Sequence, residues 1–273
     1  MAKISIIIPT MKGREELLKK LKSTLRPEFE MIVVDDENLL LAAKRNKGAA
    51  QARGEYLVFI DDDNYLAANA IVQMYQDFNP EIGVMGMVAC YHDKPKIVAD
   101  GGSLRWMTSG FTWGRNTNCR IYEIEKQFYE VSEVANAFMI RRDVFDLMGG
   151  FDEKNFPIDL DEADLCRRVK NAGYRVVVNP NAVCYHKSQT YSHMPDFRRP
   201  MNAYFMGRNR ILYQKKHLSG IKLFVYFTLF FPVFVLSYWA SLIYRRKPWM
   251  IVHFTKGVID GIQSRFQNQY QKG

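Results

Sequence analysis

The sequence predicts an α/β fold built on a mainly parallel sheet, with apolar helices appended at the C-terminal end. Three observations carry this. Short apolar runs rich in β-branched residues recur with helix-like segments between them, and strands without polar alternation belong to sheets covered on both faces. The first three runs each end in polar or acidic residues, namely Pro9-Thr10, Asp35-Asp36 and Asp61-Asp62-Asp63. Ligands sit at such carboxyl ends in open α/β sheets. The third observation is an uncharged stretch of 22 residues, 223–244.

The elements follow in order. Residues 4–8 read as a strand, and 14–25 as a helix with Leu17, Leu18, Leu21 and Leu25 at helical spacing. Strands at 31–34 and 56–60 flank a helix at 39–52 that ends near Gly54; a third helix covers 67–78. Residues 82–90 and 134–140 read as strands, while 101–118, rich in Gly, Trp, Thr and Asn, reads as loops. A short helix at 142–148 stops at Gly149-Gly150. A helix at 164–172 places Leu165, Val169 and Ala172 on one face, with Gly173 as its C-cap. Short strands at 175–178 and 182–185 close this part. As a helix, residues 223–244 reach roughly 33 Å, enough for a hydrocarbon core of ~30 Å.

At 273 residues, 48% apolar and 25% charged, the chain has the composition of a folded protein with a sizeable core. Cys90, Cys119, Cys166 and Cys184 are scattered without a metal-like spacing, which suits reduced thiols in a cytosolic compartment. The N-terminal apolar run is closed early by Pro9, so no secretory signal is expected and the catalytic part is expected on the side of synthesis. Charge is unevenly spread. Residues 1–186 carry 24 Lys/Arg and 27 Asp/Glu, net −3, whereas residues 187–273 carry 14 and 2, net +12. A basic segment meets an anionic surface, either lipid or nucleic acid. The apolar run behind the aromatic and basic stretch 204–217 favours lipid over nucleic acid.

Adjacent acids Asp61-Asp62-Asp63 repel one another unless a cation compensates, and hard oxygen ligands suit Mg²⁺ or Mn²⁺. In an extended segment Asp61 and Asp63 would share a face. A solvated acidic turn is the alternative, and the position at a strand's carboxyl end weighs against it. Asp35-Asp36 reads either as a turn whose side chains cap amides or as acceptors for a base or ribose. Asp161-Glu162-Ala163-Asp164 reads as an N-cap and dipole-favoured first turn, or as the source of a general base. Four acids between positions 159 and 164 exceed what capping needs. The lone His186 reads as structural on the residues alone.

Together these motifs resemble the family 2 glycosyltransferases, which have the GT-A fold, a Rossmann-like mixed sheet. The resemblance rests on Ser5-Ile6-Ile7-Ile8-Pro9-Thr10, Val33-Val34-Asp35-Asp36, Arg45-Asn46-Lys47-Gly48 and residues 52–63. It continues through residues 141–145, Gly149-Gly150-Phe151-Asp152-Glu153, Asp161-Glu162-Ala163-Asp164-Leu165 with Gly173-Tyr174, and Tyr185-His186, so that it covers about residues 3–217. It implies a donor nucleotide pocket lined by Pro9, Thr10, Asp35, Asp36, Arg45, Asp61 and Asp62. Metal ligands would be Asp61, Asp63 and His186, with Mn²⁺ or Mg²⁺ as cofactor. Glu162, or its neighbour Asp161, would be the catalytic base of an inverting displacement. The family commonly writes Glu-Asp-x-Asp where this chain has Asp161-Glu162-Ala163-Asp164, which leaves the working carboxylate open among the three acids. Asp164, Arg208 and Asn209 are candidate contacts to phosphate or acceptor.

The C-terminal stretch resembles the extension of rhamnosyltransferase-like members that build lipid-linked glycans. Two units follow: residues 1–217 as the GT-A domain and 218–273 as a membrane-associating extension. Basic residues on both flanks of the apolar run disfavour a simple span. Pro232 is expected to bend it into a hairpin or interfacial pair, with Trp239 and Trp249 at the interface. The expected partners are a UDP-, dTDP- or GDP-linked sugar, a lipid-linked or glycan acceptor and the cytoplasmic face of a membrane, with no nucleic acid. The competing readings are a synthase whose acceptor is a polyprenyl phosphate and a non-catalytic sugar-nucleotide-binding membrane protein. A sugar-nucleotide pyrophosphorylase is disfavoured, because Thr10-Met11-Lys12-Gly13-Arg14 is a poor phosphate loop.

Overall fold

The computed structural model describes residues 3–134, 137–187 and 199–266. Its first strand, β1 (Ile4–Pro9), is buried along its whole length, as an apolar run covered on both faces must be. Helix α1 (Glu15–Ser23) leads to β2 (Glu30–Val34), and α2 (Leu41–Gln51) to β3 (Tyr56–Ile60). Strand β1 pairs in parallel with both β2 and β3. The short strand β4 (Asn64–Leu66) and helix α3 (Ala70–Asp77) precede the long buried strand β5 (Ile82–Tyr91). An excursion then contributes β6 (Val98–Asp100), the hairpin β7 (Ser103–Trp106) and β8 (Phe111–Gly114), and β9 (Tyr129–Glu130). The chain returns through β10 (Ala137–Arg141), α4 (Arg142–Leu147), α5 (Asp161–Asn171) and β11 (Arg175–His186).

Among the described residues the main sheet runs β2-β1-β3-β10-β5-β11-β4, with β6 on β5 and β9 on β11. It is mixed: β10 lies antiparallel between β3 and β5, because the excursion brings the chain back from the opposite end. Alternate side chains feed two cores. Ile7, Leu57, Phe59 and Phe138 face one, and Ile6, Ile8, Val58 and Ile60 the other.

Three local expectations are revised. Residues 101–118 are not only loops; they hold the β7–β8 hairpin, turned at Gly110, whose φ of 72° suits glycine. The two strands read at 175–178 and 182–185 are one strand, β11, with a register irregularity between Asn179 and Val183 that accommodates Pro180. Helix α5 starts at Asp161, three residues earlier than its apolar spacing suggests, so the acids form its first turn.

The C-terminal part begins with α6 (Pro200–His217). Helix α7 (Gly220–Val225), a π-helical turn at Tyr226–Phe230 and α8 (Phe231–Tyr244) then form one continuous helical run. Among the described residues, Gly220–Tyr244 is the one helix long and apolar enough to cross a membrane, and little of it is buried. Pro232 therefore does not fold a hairpin. It falls at the start of α8, just behind the π turn, whose wider ladder absorbs the missing N–H. The direction reverses later, at residues 245–249, and α9 (Met250–Gln263) packs back on α6. That crossing is close because glycines permit it. A Cβ at Gly257 would lie 2.0 Å from the Tyr204 carbonyl oxygen, and one at Gly207 would lie 2.5 Å from that of Phe254. Phe234, Leu242, Phe254 and Val258 fill the core among α6, α8 and α9.

Candidate active site

The Asp61-Asp62-Asp63 triplet leaves β3 and enters a turn, closed by the Asn64 amide donating to the Asp61 carbonyl at 3.1 Å. Strand alternation no longer applies there, and the three carboxylates splay to three partners. Asp61 accepts from Arg45 Nη2 at 2.8 Å. Asp62, only 2% exposed, accepts from Thr10 Oγ1 at 2.6 Å and is paired with Arg14. Asp63 faces His186, with Oδ1 3.3 Å from Nε2. The antiparallel β4–β11 ladder, in which Asn64 registers with His186, brings that histidine alongside.

Arg45, carried by α2 and fully buried, is the centre of the arrangement. Its Nη1 donates to Asp161 at 2.5 Å, and its Nη2 lies 2.8 Å from Asp61 and 2.7 Å from Glu162. One cation thus holds three carboxylates, and it joins the β3 turn to the first turn of α5. The imbalance shows in the titrations. Burial pushes Glu162 up to about 7, with Arg45 opposing and Asp161 reinforcing. Burial likewise raises Asp61 to about 6 against the pull of Arg45, and it raises Asp161. A carboxyl titrating near neutrality beside a fixed guanidinium is suited to taking and releasing a proton. Arg45, grouped with nucleotide contacts in the sequence reading, is placed to orient carboxylates. Asp161 is wholly buried, while Glu162 keeps a partly exposed side chain. Leu160, not Asp161, occupies the cap position of α5.

On the other flank, the carboxyl end of β1 presents Pro9 and Thr10, and Lys44, a buried residue that the sequence reading missed, donates from Nζ to the Thr10 carbonyl at 2.6 Å. Burial lowers its pKa, partly countered by Asp36, Asp62 and Asp35. Asp36 pairs with Lys47 at 2.8 Å and accepts the Asn38 amide, and these contacts hold its carboxyl below the usual range. Asp35 is exposed beside it.

The predicted metal set is only partly assembled. Among the described residues no three acidic, His or Cys side chains are arranged to hold a metal ion; Asp61 is engaged by Arg45, while Asp63 faces His186. Asp63 and His186 do converge. Burial alone would lower the imidazole pKa, yet Asp63 raises it, and His186 and Arg14 in turn hold Asp63 low despite its burial. An ionised carboxylate and an imidazole form a two-ligand set that fits Mn²⁺ or Mg²⁺ if donor phosphate oxygens and water complete the shell.

Three further candidates are turned inward. Asp164 is buried, paired with Arg168 and Lys216 and hydrogen-bonded to His217, contacts that hold its carboxyl below the usual range despite burial. Arg208 donates to the Asn155 and Arg265 carbonyls. Asn209 Nδ2 holds the carbonyls of Ile158 and Asp159, at 2.6 and 3.0 Å. These contacts tie α6 to α5 and to the loop before it. Beyond Glu162 opens a cavity of about 630 Å³ whose walls include Asp159, Arg210, Phe234, Ser237 and Tyr238. No sequence pattern announced it, because its walls come from segments as far apart in the chain as Asp100 and Ser241.

With this geometry, a mixed α/β sheet carrying acids at its carboxyl ends, residues 11–206 match the Glycosyltransferase like family. The chain belongs to that family. Solved glycosyltransferase structures share its GT-A-like fold. The mannosyltransferase PcManGT from Pyrobaculum calidifontis, in complex with GDP-Man and Mn²⁺, is 12% identical with a TM-score of 0.56, covering 97% of this chain and 88% of that one. TarS 1–349 from S. aureus is 15% identical with a TM-score of 0.57, covering 95% and 81%. Among curated proteins, the uncharacterized protein y4gI of Sinorhizobium fredii (strain NBRC 101917 / NGR234) is 26% identical over 67% of this chain. This glycosyltransferase-like chain spans about a quarter of that relative's length, 24%.

Proposed function

We propose that the chain is an inverting glycosyltransferase that moves a sugar from a nucleotide-diphosphate donor to a hydroxyl of a lipid-linked saccharide, at the cytoplasmic face of a membrane. The Arg45 fan carries this reading, because it fixes the acidic strand end and a near-neutral carboxyl, Glu162, in one site. The nucleotide would lie along Pro9, Thr10, Asp35 and Asp36, over the buried Lys44. Asp63 and His186 would hold Mn²⁺ or Mg²⁺, whose chemistry when bound is to neutralise the leaving diphosphate. Glu162 takes the proton from the acceptor hydroxyl, and Arg45 keeps its carboxylate aimed during the transfer. The acceptor oxygen then bonds to the anomeric carbon as the carbon–oxygen bond to the diphosphate breaks, and the leaving group carries away the electron pair. Attack from the face opposite the leaving group inverts that centre.

Membrane placement is supported by charge and shape. The exposed side of Gly220–Tyr244 carries Phe224, Leu229, Val233 and Leu236, and Lys222 and Arg245-Arg246-Lys247 flank it. Because α9 returns to pack on α6, a helix lying in the interface suits the chain better than a span. The test is binding and hydrolysis of a panel of UDP-, GDP- and dTDP-sugars with and without Mn²⁺. We expect one donor to bind and to be hydrolysed slowly only with the metal; no binding in either condition would refute the reading.

A further inference from the structure

The cavity beside Glu162 is built by parts of the chain that belong to different functions. One wall is the loop and first turn of α5, with Asp159 and Glu162; the opposite wall is α8, with Phe234, Ser237 and Tyr238. The apolar helix therefore forms part of the same cavity as the proposed base, and its volume of about 630 Å³ lies in the range of small-ligand sites.

The charges inside are distinctive. Arg105 is engaged on all three nitrogens: Nε and Nη2 donate to the two oxygens of Glu133, Nη1 donates to the Gly110 carbonyl, and the guanidinium lies over the Tyr213 ring. The guanidinium of Arg210 lies 5.0 Å from the Phe234 ring, and its Nη1 donates to the Gly110 carbonyl at 2.7 Å, while its buried Nε has no hydrogen-bond partner among the described residues. Among the described residues, none donates a hydrogen bond to the Asp159 carboxylate, although Arg210 and Arg105 act on it through their charge. Its backbone is left-handed (φ 64°), as is that of Leu160 (φ 65°), an arrangement that L side chains adopt at a cost. Asn209 clamps the carbonyls of this loop. The molecule thus holds a strained segment in place, and Asp159 lines the cavity with no hydrogen-bond donor to its carboxylate among the described residues.

Resting on the glycosyltransferase reading, we infer that this cavity is the acceptor site, that it takes a saccharide and not a bare lipid phosphate, and that Asp159 orients the sugar by accepting hydrogen bonds from its hydroxyls. A phosphate would meet two carboxylates, Asp159 and Glu162, with Arg210 already engaged through Nη1 and its ring neighbours. A sugar offers hydroxyl donors to Asp159, an acceptor oxygen to Arg210 Nε, and an apolar ring face to Phe234 and Tyr238. Because α8 supplies one wall, the helix proposed to dock on the membrane also completes the acceptor site.

The experiment uses the full-length chain with two ligand sets. Nucleotide binding (UDP, GDP and dTDP with Mn²⁺) is read by calorimetry. Acceptor binding is read by saturation-transfer NMR with octyl glycosides of common hexoses, hexosamines and deoxyhexoses, and with farnesyl phosphate. Asp159→Asn removes the charge at constant shape, Ser237→Trp fills the α8 wall, and Asp93→Asn on an exposed loop is the control. We expect at least one glycoside to bind, about tenfold more weakly in both cavity variants and equally well in the control, with nucleotide binding unchanged in all. Glycoside binding unaffected by Asp159→Asn would overturn the role of that residue. Farnesyl phosphate that binds better after Asp159→Asn would overturn the saccharide assignment, as would nucleotide binding with no glycoside bound. Failure of all nucleotides to bind would instead remove the underlying reading of the enzyme.

Discussion

At the scale of single residues, the site depends on how one guanidinium is shared. Glu162 titrates near 7 because burial outweighs Arg45, and its base form grows as pH rises. The rate of transfer should therefore climb about tenfold per pH unit below 7 and level off above it, in a pH profile of kcat. Glu162→Gln should lower kcat by roughly 10²–10⁴-fold and leave nucleotide affinity unchanged; full activity in this variant would point to an acceptor that needs no base, such as a lipid phosphate. The same shifts bear on stability. Asp61, Asp159 and Glu162 bind protons in the folded chain up to about pH 6–7, whereas in the unfolded chain they release them near 4. The native state thus holds more protons across that window, and their contribution to stability declines as pH rises through it. Thermal midpoints at pH 5.5 and 8 check the sign. Much of this was legible in the chain: Asp61, Asp63, Glu162 and Arg45 stood out by position and motif. Their pairing was not. The triplet leaves the strand for a turn, and an arginine in an Ala- and Lys-rich helix gives no sign of being fully buried.

Among the elements, the strands and helices of the first 80 residues follow their apolar periods closely, since each is a simple alternation of a buried run and an amphipathic helix. The excursion after β5 obeys no such period. Its hairpin is set by glycine turns, and the small β6 and β9 exist only because β5 and β11 offer edges. The π turn before Pro232 shows a proline absorbed by a wider helical ladder, where sequence alone suggests a break. The α6–α9 crossing belongs to this scale as well. Gly257→Ala would drive a methyl group into the Tyr204 carbonyl and should cost roughly 1–3 kcal/mol by overpacking. Thermal denaturation beside the exposed control Leu147→Ala measures it; a midpoint equal to that control would mean that the two helices are not held at this distance.

For the whole molecule, the chain is asymmetric: a near-neutral enzyme-like body carries a strongly basic end with an apolar ridge. Flotation should find it bound to vesicles rich in anionic lipid and released as salt shortens the screening length to a few ångströms. Replacing Leu229, Val233 and Leu236 together with serine should abolish binding even at low salt. Equal recovery with neutral vesicles at any salt would show that the basic flanks play no part. The β7–β8 hairpin touches this ridge, since Trp106 and Phe111 pack edgewise on Phe230.

The Arg45 fan has a consequence for how this chain can drift in sequence. Lysine at position 45 offers one compact ammonium and cannot span Asp61, Asp161 and Glu162 together, and loss of any one acid leaves the remaining geometry without its counterpoise. Single replacements among these four residues are therefore expected to cost more than paired ones. On that expectation the four behave as one inherited character, which a descendant chain would keep or replace as a set.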